Sequence, residues 1–555
     1  MQRVITAAGM REIDRLTAER FSTPSLLLME SAAAASAKAI AAKLADALAG
    51  KRARILCGRG NNGGDGAALA RALWLAGARC DVVLFGRVEE TTGDARTNFE
   101  IAHRLSSFEA GSHTQPPPLS FTECEEVAEW EEIAAHSYDI IVDALFGTGL
   151  SRPLEGIYRQ VVDHIALLRR ARERAHVSHP LIVSLDIPSG LNADSAAPSG
   201  EAVQADLTIT FTAPKPGNVL PPAMHYNGEL VVANIGSPPA LLEAAETHLF
   251  LTEEGDAREW LVKTRYAPDS YKNAHGHALV IAGSREMTGA AVLCGKAAMR
   301  AGAGLVTIAT SITAQPTVAA RSLPEIMTAT LSETTRGAVS FEAIEQVKKI
   351  ALRANVLAIG PGLSNEDEST RRFVREVVEK RTTPVVIDAD ALNALAPWPE
   401  SLRGSKELPI ILTPHPGEML RLMGTDAQEA LADRVRAARD FATAHELILV
   451  LKGARTLVAS PDGRVFVNPT GNAGLGTAGA GDTLTGIITG FIAQAFGLLK
   501  EDADALAATI AAVYVGGLAG DIAAEERGMR TLVASDISES LGQAICALDP
   551  QGERP

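Results

Sequence analysis

Apolar and polar positions alternate on a coarse scale along this chain. Short aliphatic and β-branched runs end in glycine-rich or acidic turns, and apolar stretches of helical spacing follow them. In the first half the runs are ARILC, CDVVLFG, YDIIVDA, PLIVSLD and ADLTITF, and the first passes through GRGNNGGDG into the helix-like AALARALWLAGA. Strand, loop, helix, strand is the signature of a doubly wound α/β domain, in which ligands bind beyond the C-terminal strand ends. The second half repeats the texture with HALVIAGS, GLVTIAT, VLAIGPGL, PVVIDADALN, LPIILTPHP and ELILVLKGA. Leu484, Ile487, Ile488, Phe491 and Ile492 recur at helical spacing after a glycine loop. Between the halves, GSPPALLEAAETHLF predicts a linker over 237–250, joining domains at 1–236 and 251–555. The Pro- and Glu-rich stretch between Leu105 and Glu132 reads as a solvated surface insertion, with a docking segment as the alternative.

Composition narrows the class. At roughly 150 residues per domain, 555 residues imply two to four domains. Hydrophobic content of 46% and charged content of 21% are those of an ordinary globular protein, and with only 4% aromatics the core must rest on Ala, Val, Leu and Ile. The net charge is -15, both halves are acidic, and no Lys/Arg run occurs. A nucleic-acid partner, which needs a positive field, is therefore not expected, and any phosphate ligand must be held locally by backbone N–H groups and a few side chains. Five widely spaced cysteines without a C-x-x-C pair argue against a disulfide framework or a zinc site and favour a cytoplasmic location. The charged N-terminus does not read as a signal peptide. The uncharged run from Thr483 to Leu499 is short for a spanning helix and reads as a buried one, so no membrane partner is expected.

The candidate chemistry sits in the turns. In Gly58–Gly66, Gly63 and Gly64 can adopt positive φ and let the backbone approach a pyrophosphate, while Asn61, Asn62 and Asp65 offer oxygens to a cation or a ribose; a tight capped turn is the alternative. Asp143 ends one strand before Gly147-Thr148-Gly149-Leu150-Ser151-Arg152-Pro153, and Asp186 ends another before Ile187-Pro188-Ser189-Gly190. Converging at one sheet edge, such turns would supply hard oxygen ligands for an alkali or alkaline-earth cation. In the second half, Gly479-Ala480-Gly481 leaves N–H groups at a helix N-terminus, and Asp482 stands where it can take a proton from an attacking hydroxyl. Around it stand Lys452-Gly453-Ala454-Arg455-Thr456 for a nucleotide phosphate, Gly360–Leu363, His415 between two prolines, and Asp388 and Asp390, able either to orient Mg²⁺ through water or to cap a helix.

These motifs, in order along nearly the whole chain, resemble the family of bifunctional NAD(P)H-hydrate repair enzymes. The resemblance rests on LLLMESA, NNGGDG, DALFGTGLSRP, LDIPSGLNAD and APKPGN, then on YKNAHGHALVIAGS, TGAA, RAGAGLVT, GPGL, DADALN, TPHPGEMLRL, KGART, NPTGNAG and GAGD. It implies a Rossmann-like epimerase domain followed by a ribokinase-like dehydratase domain. The first would interconvert R- and S-NAD(P)HX, and the second would return S-NAD(P)HX to NAD(P)H at the expense of ADP, giving AMP and phosphate. Asn61 to Asp65, Gly147 to Pro153 and Asp186 would then hold NADHX or NADPHX, and Asn62, Asp143 and Ser189 would ligate K⁺. Ala290, Gly362, His415 and Asp482 would line the dehydratase's hydrate site, with Lys452 to Thr456 and Gly481 on ADP or ATP and Mg²⁺ as its cofactor. Asp482 and Asp186 are the catalytic candidates, and a homo-oligomer is expected. Departures from the family pattern are Arg59 for proline, Ser31 for asparagine, and Ala478 and Ala480 where glycine or serine is common. The two other classes open at this point are a ribokinase-type small-molecule kinase and a non-catalytic nucleotide-binding scaffold.

Overall fold

The computed structural model describes residues 1–107, 119–134, 136–150, 152–175 and 180–552. It divides into two compact units, Gln2–Thr247 and His248–Pro555 together with Met1. The division falls inside the expected linker, but that segment is structured. Pro239–Ala244 is a helix whose Leu241 is buried among Ile5, Met10 and Ile13, and Leu249–Leu251 is a strand.

The first unit contains a wholly parallel sheet built from β1 (Arg52–Cys57), β2 (Arg79–Phe85), β3 (Leu119–Cys124), β4 (Ile140–Ala144), β5 (Leu181–Leu185), β6 (Leu207–Phe211) and β7 (Glu229–Ala233). Its order is β3-β2-β1-β4-β5-β6-β7, a Rossmann-like arrangement whose direction of travel reverses between β1 and β4. Helices cover both faces, so the inner strands are buried and mostly apolar, as in Ile55, Val82, Val142 and Val183, with polar exceptions such as Asp143 and Ser184. The reading of Leu105–Glu132 as a surface insertion is corrected in part. Leu119–Cys124 is the edge strand, paired to β2, and Val127–Ala134 is a helix that buries Trp130 against Phe85 at 5.6 Å between ring centroids. The triproline lies outside the described residues.

The second unit holds β8 (Leu249–Leu251), β9 (His277–Ile281), β10 (Leu305–Ser311), β11 (Met327–Leu331), β12 (Val356–Ile359), β13 (Val385–Ile387), β14 (Ile410–Leu412), β15 (Ile448–Leu451), β16 (Leu457–Ala459) and β17 (Val465–Val467). They run in the order β8-β17-β16-β15-β14-β13-β12-β9-β10-β11. The strands from β15 to β11 are parallel, and β16 adds antiparallel pairing at one side. The reversal of direction falls between β12 and β9. The helical run after the glycine loop extends to Asp502, beyond Leu499, and with Ser25–Lys43 and Ala505–Arg527 it is long and apolar enough to cross a membrane by length and composition. Burial gives both second-unit helices another use: Ile487, Ile488, Phe491, Ala512 and Val515 belong to one core cluster with strand residues Val280 and Ala358.

Candidate active sites

In the first unit the turns after β1, β4, β5 and β6 open onto one cavity of about 970 Å³. It lies where the strand order reverses, the position at which doubly wound sheets hold ligands. Asn61, Asn62, Asp65, Gly147, Thr148, Gly149, Leu150, Arg152, Pro153 and Asp186 all line it; Ser151 lies outside the described residues. Gly63 and Gly64 do not line it, and the expected positive φ is corrected. Both are inside the helix Asn61–Leu75 and absent from the positive-φ positions. Their small size serves packing: a Cβ at Gly63 would fall 1.8 Å from the Gly58 carbonyl oxygen, and one at Gly64 2.7 Å from the Ala95 Cα.

Asp186 is held in a strained conformation. Its φ is +65°, and Ile187 N–H donates to the Leu185 carbonyl at 2.8 Å, a three-residue turn at the end of β5. The turn aims its carboxylate at Lys215, which is buried and donates to Asp186 Oδ1 at 2.5 Å, Thr210 Oγ1 at 2.8 Å and the Phe211 carbonyl at 3.1 Å. Two further carboxyls share the cavity. Burial, with Asp186 and Asp14 as like charges, pushes Asp65 well above the usual aspartate range. Burial pushes Asp14 up to about 6 against the pull of Lys215. Sequence reading missed Asp14 and Lys215 as site residues: Asp14 lies on an N-terminal helix, and Lys215 stands in the APKPGN turn without a marked role.

Asp143, wholly buried, accepts from Ser189 Oγ at 2.5 Å, Ser189 N at 2.8 Å and Ser184 Oγ at 2.8 Å. Burial raises its carboxyl and these bonds oppose the rise. The side-chain oxygen and nitrogen of Asn62 are both buried without a hydrogen-bond partner among the described residues.

In the second unit the turns after β13, β14 and β15 converge on the helix Ala480–Gln494. Asp388, with 1% of its side chain exposed, receives Lys452 Nζ at 2.8 Å and Thr485 Oγ1 at 2.8 Å. Burial would raise Asp388, but Lys452 and the Thr485 and Thr413 hydroxyls hold it below its ordinary value. Glu418 stands 3.8 Å from Lys452, so the largely buried lysine is shared by two carboxylates. Lys452 also lies against the glycine turn, 3.2 Å from where a Gly481 Cβ would be. Asp482 follows in the first turn of the helix, raised to about 6 by burial and by Asp388, with Lys452 opposing. The loop Lys452–Thr456 is tied down by Arg434, which donates to the carbonyls of Lys452 and Ala454. His415 caps the helix Pro416–Leu422, its Nδ1 accepting from Gly417 N at 3.0 Å, which leaves the proton on Nε2. Gly362, at φ +63°, abuts Ala290: a Cβ there would lie 2.9 Å from the Ala290 Cβ. Leu293, one turn on from Ala290, touches Gly479, which joins this corner to the GAGD turn. A separate cavity of about 730 Å³ lies at the N-terminal ends of β14 and β15 and contains none of these residues.

Two α/β units, each gathering paired charges and raised carboxyls near its C-terminal strand ends, have the architecture of an enzyme with two separate candidate active sites. Residues 278–543 match the family described as NAD(P)H-hydrate dehydratase, and residues 25–217 match that described as YjeF-related protein N-terminus. The bifunctional NAD(P)H-hydrate repair enzyme of Moorella thermoacetica is 40% identical over 99% of this chain and 98% of its own. That of Escherichia coli is 33% identical over 88% of this chain and 84% of its own. The solved ADP/ATP-dependent NAD(P)H-hydrate dehydratase of Bacillus subtilis, co-crystallised with ATP/Mg²⁺, is 31% identical, with 55% of this chain and 100% of that chain covered and a TM-score of 0.45. The chain belongs to the family of bifunctional NAD(P)H-hydrate repair enzymes. It is accordingly an enzyme with epimerase and dehydratase activities.

Proposed function

We propose that the first unit epimerises R- and S-NADHX and NADPHX, and that the second dehydrates the S form with ADP as phosphoryl donor, giving AMP and phosphate. The observation that carries the second assignment is Asp482, a carboxyl raised to about 6 at a helix N-terminus beside the buried Lys452–Asp388 pair. A base of that strength is largely ionised at neutral pH yet still takes a proton readily. Asp482 removes the proton of the hydrate's ring hydroxyl, and the freed oxygen bonds to the terminal phosphorus of ADP as the bond to AMP breaks. Phosphate then leaves the ring carbon, and a proton lost from the neighbouring carbon restores the double bond. The N–H groups of the Gly479–Gly481 turn and the charge of Lys452 stabilise the transferring phosphoryl group.

Mg²⁺ at this site would neutralise phosphate charge. Among the described residues no three His, Cys, Asp or Glu side chains converge on a metal, which suits an ion that keeps its waters and arrives with the nucleotide. Asp390 and Glu418 would orient those waters, since both Asp388 oxygens are already engaged. For K⁺ in the first unit, the donor set fits. Asn62 offers an unpartnered buried oxygen, and Asp143 is a buried carboxylate whose hydrogen bonds come only from neutral groups. With Ser189 they present hard oxygens to a monovalent cation. A cytoplasmic location is part of the proposal, supported by five free cysteines, four of them buried.

The test is incubation of the full chain with S-NADHX and ADP, following nicotinamide absorbance and phosphate together. Stoichiometric NADH and phosphate support the reading. A stable phosphorylated alcohol would make the second unit a kinase, and no turnover would make it a scaffold.

A further inference from the structure

Of the five carboxyls that line the epimerase cavity, Asp14, Asp65 and Asp186 act on one another and on the buried ammonium of Lys215, while Asp94 and Glu155 share the lining with three arginines. Among the described residues Lys215 pairs with Asp186 alone, at 2.5 Å, so its charge is committed to one carboxyl. Asp14 is the member with a vacancy: its Oδ1 is shielded from solvent and has no hydrogen-bond partner among the described residues. It comes from the helix Ala7–Phe21, whereas Asp186 reaches the cavity from the end of β5, so the two address a ligand from different elements.

We propose that Asp14 is the proton donor of the epimerase, working opposite Asp186, whose carboxyl is paired with Lys215. The inference rests on the epimerase activity of this unit and adds the groups that perform it. The substrate's hydroxyl is on the ring carbon beside the nitrogen. Asp14 protonates that hydroxyl, the C–O bond breaks, water departs, and the nitrogen lone pair forms a C=N⁺ bond. Water adds to the opposite face and gives its proton to Asp186, so that atoms and charge balance, and solvent exchange restores the starting protonation. Nothing is oxidised. One carboxyl neutral and its neighbour ionised is the division of labour that acid and base at one carbon require. Burial raises Asp14 to about 6, with Asp186 adding to the rise and Lys215 opposing it; Asp65, Asp94, Glu155, Arg59 and Arg152 share the cavity and Arg11 its own helix, a setting that suits a donor working near neutrality.

The test uses the full chain and NMR of an R/S-NADHX mixture enriched in R. Asp14→Asn should lower kcat for epimerisation about a hundredfold or more, with KM within about threefold, while dehydration of S-NADHX in the same protein is unchanged. Asp14→Glu should recover part of the loss. Independently of any variant, wild-type kcat for epimerisation should fall as pH rises above about 6, once the uncatalysed rate is subtracted. Near-wild-type epimerisation by Asp14→Asn, or a flat wild-type profile from about pH 5.5 to 8.5, overturns the proposal. Failure of the wild-type protein itself to epimerise would instead overturn the activity on which the proposal rests.

Discussion

Replacing Asp482 by asparagine should make the second unit more stable and nearly inactive. The carboxyl's rise from 3.8 to about 6 means that the folded protein resists ionising it. Each unit of pKa is worth about 1.4 kcal/mol, so the charged form costs about 3 kcal/mol of stability once the pH is well above 6. The sign follows from proton counting: the folded state holds its proton to higher pH than the unfolded chain, so stability falls as pH rises through the window from 3.8 to 6 and is then flat. Asparagine keeps the shape and never acquires the charge. Urea titrations should therefore show the variant's second unit more stable by about 3 kcal/mol near pH 8, a gap reduced to about half near pH 5. The second unit's transition can be recognised by its upward shift with ADP. In the same samples ADP-dependent dehydration should fall by about 10² to 10⁴, the range for loss of a general base. Equal or lower stability near pH 8 would refute the electrostatic argument, and retained turnover would refute the assignment of the base.

Three other outcomes follow from particular contacts. Lys452→Met strands the buried Asp388 and should cost the second unit about 3 to 5 kcal/mol by denaturant titration, much of it recovered by adding Asp388→Asn, although neither protein should turn over. Gly63→Ala places a Cβ 1.8 Å from a backbone oxygen; it should destabilise the first unit severely, by about 4 kcal/mol or more, and abolish epimerisation while dehydration of S-NADHX continues. Exchanging K⁺ for Na⁺ should slow epimerisation, through the cation held by Asn62, Asp143 and Ser189 in the first unit, and leave dehydration in the second unit untouched; equal epimerisation rates in the two salts would count against that cation site.

The strands and the turns after them were legible because buried parallel strands leave uniform apolar runs and their ligand-facing ends carry polar residues at once. That is why Asp143 and Asp186 stood out as candidates at strand ends, and Asp482 after its glycine loop, although their roles came from the family resemblance. The role of Gly63 and Gly64 was not, since a glycine required for positive φ and one required for close packing look the same in sequence. Here helix contact with Gly58 and Ala95 decides. Asp14 looks like any charge on an amphipathic helix, and Lys215 like a turn lysine. Only the long-range approach of their elements to β5 gives them a shared cavity. Lys452 was legible as a site residue, but its capture by Asp388, 64 residues away in sequence, was not. The edge strand Leu119–Cys124 was hidden by its flanking prolines and glutamates, because composition outweighed six residues of pairing pattern.

The central claim is that one chain carries two sites acting in succession on one substrate. Its most direct measurement is the extent of reaction when an equilibrated R/S-NADHX pool meets the full chain and excess ADP, faster than the epimers interconvert unaided. Complete conversion to NADH is expected for the wild type and, for Asp186→Ala, a plateau at the fraction initially present as S. Complete conversion by Asp186→Ala at the wild-type rate, or a wild-type plateau, would contradict it.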